Sequence, residues 1–126
     1  MANVLGYDGG LTCSVPVSDM KKSIAWYRDV LGFELLYEMA EMGWCEMASP
    51  VAHVTVGLNQ VETVNPKGGP TLVWGVADID AARRKLETQK VRFDGETMTI
   101  EGMVRLATFY DIDGHKIMLS QTLAKK

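Results

Sequence analysis

The same strand-to-helix junction is written twice in this chain, and no other feature restricts the fold as much. Val17-Ser18-Asp19-Met20 and Val76-Ala77-Asp78-Ile79 stand 59 residues apart, each behind a short strand-like run and ahead of a stretch with helical spacing. In the first copy, Leu11 to Val17 alternates Cys13, Val15 and Val17 with Thr12, Ser14 and Pro16, the period of a strand with one buried face. Ser18 or Asp19 is placed to cap the next helix, because a short side-chain oxygen accepts a bond from the free N–H groups of a first turn. Met20, Ile24, Tyr27 and Leu31 recur at helical spacing, and Gly32 stands where the helix should stop. Three strand-like runs follow, at residues 33–39, 43–48 and 52–58.

The stretch Val64 to Pro70, VNPKGGP, is too dense in Pro and Gly to continue either element. The second copy then starts with a strand over residues 71–76, Asp78 as cap, and a helix marked by Ile79, Ala82 and Leu86 that ends near Lys90. VRFDGE (residues 91–96), MVRLATFY (103–110) and HKIMLSQ (115–121) are expected to supply three more strands, with Asp94-Gly95 and Asp113-Gly114 as turns. VGLNQ at Val56 to Gln60 is echoed by IMLSQ at Ile117 to Gln121. The pattern predicts an α+β fold of two βαβββ modules in one domain over residues 1–126: a first module at about 11–60, a linker at about 61–70 and a second module at about 71–121.

Composition narrows the partners. Thirteen Lys and Arg against sixteen Asp and Glu give a formal charge of −3. The basic residues cluster only at Arg83-Arg84-Lys85 and Lys125-Lys126, so neither a nucleic-acid footprint nor a polybasic membrane patch is expected. No apolar run reaches the roughly 20 residues of a membrane span, and MANVLGYDGG lacks a basic region followed by an apolar one, so a cytoplasmic protein is expected. Cys13 and Cys45 lie in neither zinc-ribbon nor redox spacing and are expected to be buried, reduced thiols.

VPVSDMKKSIAWYRDVLGFELLYE, VADIDAARRKLE and FYDIDGHKIMLSQ resemble the vicinal oxygen chelate superfamily, which includes glyoxalase I, extradiol dioxygenases, and fosfomycin- and bleomycin-resistance proteins. The resemblance runs from about Leu11 to Gln121. It implies two curved mixed sheets that form a cup, and, for a member this small, a homodimer in which the cup is built from modules of two chains.

In metal-using members the ion is held by His, Glu or Gln facing the cup from the first and last strands of each module. Carried over by the resemblance, those places fall on Thr12 and Thr71 in the first strands, and on Met118 and Gly57 in the last. A neutral hydroxyl is a poor ligand and a thioether suits softer ions, so no metal and no cofactor are expected. Isomerisation, ring cleavage and epoxide opening that depend on a Lewis acid are disfavoured together.

The cup lining expected from strand alternation includes Thr12, Ser14 and Pro16, Trp44 and Glu46, and His53 and Thr55. Thr71, Val73, Gly75, Lys116, Met118 and Ser120 follow from the second module. Gly57 and Gly75 would leave room in it. Trp44 is either a stacking surface for a ligand or a core or interface residue. Glu46 and His53 flank the tight MASPVA connection, and a hairpin there would set them nearly opposite each other, as an acid–base pair or as a solvated ion pair. Asp94 to Val104 carries Gly95 and Gly102 and is read as a flap over the cup.

The function expected from all this is metal-free binding or sequestration of a small apolar or aromatic molecule at a dimer interface. The alternatives are an enzyme of the glyoxalase type, metal-independent through Glu46 and His53 or metal-dependent through a non-standard site, and a purely structural module.

Overall fold

The computed structural model describes residues 4, 6, 8–67 and 70–123. Two of the expected linker residues, Gly68 and Gly69, and the terminal Lys125-Lys126 lie outside the described residues. The chain divides into two compact units, residues 1–64 and 65–126, and each holds one copy of the repeat.

The first unit runs β1 (Leu11–Val17), α1 (Met20–Asp29), β2 (Glu34–Met39), β3 (Trp44–Ala48) and β4 (Val54–Gln60). Its sheet has the order β1-β4-β3-β2, with β1 parallel to β4 and the other pairs antiparallel. The second unit runs β5 (Leu72–Gly75), α2 (Ile79–Thr88), β6 (Met98–Ile100), β7 (Val104–Tyr110) and β8 (Lys116–Thr122), in the equivalent order β5-β8-β7-β6. Both sheets are mixed, and the class is α+β.

Strand alternation and helical spacing converge on one core per unit. In the first, Val17, Cys45, Met47, Val56 and Leu58 of the sheet are buried together with Met20, Ile24 and Tyr27 of α1. Each large side chain so placed contributes about 1.5–3 kcal/mol relative to exposure. In the second, Phe109, Ile117 and Leu119 are buried with Ile79 and Leu86 of α2. Ser23 is also buried on α1, and its hydroxyl has no hydrogen-bond partner among the described residues.

Both helix starts use the same chemistry. Asp19, rather than Ser18, caps α1 by accepting from the Lys22 N–H at 3.1 Å, and Asp78 caps α2 by accepting from the Ala81 N–H at 3.1 Å. A second free N–H is met from the sheet: Gln60 Oε1 accepts from Met20 N at 2.9 Å, and Gln121 Oε1 accepts from Ile79 N at 2.8 Å. The echo of VGLNQ in IMLSQ therefore has a structural cause, a glutamine on the last strand that closes the start of the unit's own helix.

Residues 91–96 do not form the expected strand. Phe93 makes only an isolated bridge to Phe109, and the outer strand β6 lies instead at Met98–Ile100, inside the stretch read as a flap. Arg83 holds the preceding turn: its guanidinium donates to the Gly95 carbonyl at 2.9 Å and to Thr97 at 3.2 Å, and lies 4.2 Å from the centre of the Phe93 ring. All three residues of β6 are exposed, so it carries no buried face to mark it in sequence.

Candidate functional site

The side chains of the first sheet that point away from its core make one continuous surface. Register places Thr12 beside Thr55, Ser14 beside Gly57, Glu46 beside Gly57 and Trp44 beside Asn59. Tyr37 of β2 joins them opposite Glu46, after a bulge between Leu35 and Tyr37 that shifts the strand's alternation.

Trp44 organises this face. A β-carbon at residue 57 would collide with the benzo end of the indole, so the ring occupies the space that Gly57 leaves empty. Gly57 is buried as a result, and the room expected at that position is taken by tryptophan. The indole N–H donates to the Tyr37 hydroxyl at 3.2 Å, and that hydroxyl donates to Glu46 Oε1 at 2.8 Å. From the other side, the Thr55 hydroxyl donates to Glu46 Oε2 at 2.7 Å and is itself 2.8 Å from the Thr12 hydroxyl. Thr12 lies 3.4 Å from the same carboxylate oxygen. Hydrogen bonds from Thr55, then Tyr37, hold the Glu46 carboxyl below the usual carboxylate range, against a small opposing effect of burial. Glu46 is therefore ionised at neutral pH. Farther along the face, Asn59 Nδ2 donates to Ser14 Oγ at 2.7 Å.

His53 does not take the cross-strand place expected for it. It sits in the turn before β4 with φ of 63°, its carbonyl accepts from Leu11 N at 2.8 Å, and the residue opposite Glu46 is Gly57. His53 and Glu46 do line one cavity of about 350 Å³, with Asp8, Thr12 and Thr55. Among the described residues no hydrogen bond or ion pair joins the two, and a carboxylate with a lowered pKa is a weakened proton acceptor.

The second sheet presents a different surface. Val73 pairs with Met118 and Gly75 with Ser120, while Thr108 flanks Met118 from β7. Val73 and Met98 are exposed on this face. Lys116 lies opposite Tyr110 and pairs with Asp94 at 3.4 Å, and with Thr71 it lines a cavity of about 540 Å³ that also includes Lys67 and His115.

The places where the resemblance puts metal ligands do not fit an ion. Thr12 and Thr71 offer neutral hydroxyls, Met118 a thioether, and Gly57 no side chain at all, under a tryptophan ring. Among the described residues no group of three or more His, Cys, Asp or Glu is placed to hold a metal. Sequence reasoning missed Tyr37 and Asn59. The bulge at Leu35/Tyr37 hides the phase of β2, and an asparagine on a strand carries no signal of its own until Ser14 is seen beside it.

Two four-stranded mixed sheets, each with one helix and the same strand order, define the class, and the chain belongs to the Glyoxalase/Bleomycin resistance protein/Dioxygenase superfamily, whose family model matches residues 11–119. Among solved structures it is similar to TnmS3, an antibiotic binding protein from Streptomyces sp. CB03234, at 30% identity and a TM-score of 0.76, over 94% of this chain and 98% of that one. A glyoxalase/bleomycin resistance protein from the same organism is 32% identical, with a TM-score of 0.70 over 90% of this chain and 100% of that one. A superfamily member from Sphaerobacter thermophilus DSM 20745 shares the fold at a TM-score of 0.80 and 24% identity, over 93% of this chain and 99% of that one. No protein with a curated description matches.

Proposed function

We propose that this protein binds or sequesters a small aromatic or apolar molecule, without a metal, in a cup completed by a second copy of the chain. The observation that carries the reading is the Trp44 indole, seated over Gly57 and fixed by its hydrogen bond to Tyr37 on an otherwise open sheet face. An immobilised aromatic ring offers large contact area at little further entropic cost. The likeness to an antibiotic binding protein over nearly the full chain supports a binding role, and the unsuitable residues at the family's metal positions support a metal-free one. Acid–base catalysis by Glu46 and His53 is disfavoured, since the carboxylate is held ionised by its neighbours and the histidine is not paired with it. A fold of this kind hosts several chemistries, so the site and not the scaffold decides.

The test has two parts. Protein purified without chelator or histidine tag is expected to carry substoichiometric divalent metal, and to take up none after incubation with manganese, nickel, zinc or iron(II). A panel of planar aromatic compounds is then expected to quench tryptophan emission saturably in the wild type, with the effect weakened in Trp44→Ala. One tightly held metal equivalent, or turnover of a bound compound, would turn the reading toward an enzyme.

A further inference from the structure

We propose that the molecule held on the first sheet carries a positive charge, received by Glu46 beside the Tyr37 and Trp44 side chains; this rests on the binding role proposed above. Proton directions on this face are nearly settled by the donor inventory. The Trp44 N–H can only donate, so the Tyr37 hydroxyl accepts from it and spends its single proton on Glu46 Oε1. Thr55 spends its proton on Oε2, so Thr12 supplies the proton between the two threonines. Each chain of donors ends at the carboxylate, an arrangement that suits the anion and not the acid.

Among the described residues that anion is paired with no cation. The ion pairs Arg28 with Asp29, Arg83 with Glu87, Arg105 with Asp80 and Lys116 with Asp94 all leave Glu46 out. Among the described residues Oε1 accepts a bond from Tyr37 alone, so a carboxylate able to accept about four hydrogen bonds keeps an open direction there. Asp8 lines the adjoining cavity and adds a second negative charge to it.

A ligand that settles on the Trp44 and Tyr37 rings strips water from this carboxylate. Covering an ionised carboxylate with an apolar body is costly unless the newcomer brings a charge or donor to replace the lost water. An aromatic or aliphatic cation does so, and gains the attraction of the two ring faces as well. The apolar or aromatic compound expected from sequence is thereby narrowed to one with an ammonium, iminium or similar cationic group.

The closing experiment titrates the full-length protein with two nearly isosteric probes, N-methylquinolinium and neutral quinoline, by calorimetry near neutral pH. The wild type is expected to bind the cation about tenfold more tightly. In folded Glu46→Gln the ratio of the two affinities should fall to near one, whatever the absolute affinity for quinoline. A thermal melt checks that the variant is folded; if it is not, the salt dependence of the wild type decides, since added salt should weaken the cation and spare quinoline. Equal binding of both probes by the wild type, or a cation preference that survives in folded Glu46→Gln, overturns the charge assignment and leaves the binding role standing. Failure of both probes to bind overturns the binding role on this face and the assignment with it.

Discussion

At residue 57 the missing β-carbon is what lets Trp44 lie across β4, and at Gly75 of the second sheet there is no such partner among the described residues. A β-carbon at Gly75 would meet nothing within 4 Å, whereas at Gly57 it would run into the indole. Gly57→Ala is therefore expected to displace Trp44 and to cost about 1–3 kcal/mol, the range for an overpacked site. Gly75→Ala should leave stability nearly unchanged, and a pair of thermal melts with tryptophan emission spectra checks both. The two glycines look alike in sequence, as places without bulk. Their difference depends on a diagonal contact between adjacent strands, which exists only once the β3–β4 register is set.

The elements themselves were largely legible. Asp78 caps α2 as its position ahead of an apolar helical stripe implies, Asp19 is the one of the two candidates Ser18 and Asp19 that caps α1, and Gly32 takes a left-handed φ of 76° just past α1. Gln60 and Gln121 were visible only as an echo between modules. Their bonds to Met20 N and Ile79 N close two otherwise free helix donors from a neighbouring strand. Gln60→Ala and Gln121→Ala are each expected to destabilise by about 1 kcal/mol, measured by denaturant titration, because each removes a side-chain cap. The misplaced element was β6. Residues 91–96 have the apolar alternation of a strand through Val91 and Phe93, but Phe93 packs its ring on the buried Phe109 from a segment held by Arg83, while the exposed Met98–Ile100 pairs with β7. An outer strand with no buried face is specified by its neighbour's free edge, not by its own periodicity.

For the molecule as a whole, two copies of one βαβββ pattern carry different outward faces. The first is hydroxyl-rich, with a tryptophan and a carboxylate at its middle; the second exposes Val73, which pairs with Met118, and Met98 and Ile100 on β6. Single exposed apolar residues are ordinary, but several on one sheet face suit coverage by another surface. Sedimentation analysis is expected to give the mass of two chains, and a monomer at all concentrations would refute the paired cup. Among the described residues no helix is long and apolar enough to cross a membrane.

The duplication, the α+β class, the Asp78 cap and the face on which Thr12, Ser14, Trp44, Glu46 and Thr55 stand are legible in the sequence, with Ser18 and Asp19 left as alternatives for the first cap, because each follows from local chemistry and a strand's period of two. Which of those residues meet is set by three-dimensional packing: Tyr37 and not His53 partners Glu46, Trp44 fills the space at Gly57, and β6 pairs with β7 at Met98–Ile100. Those contacts depend on a bulge, a register and a turn, and a shift of one residue in any of them would send the same side chains to other partners.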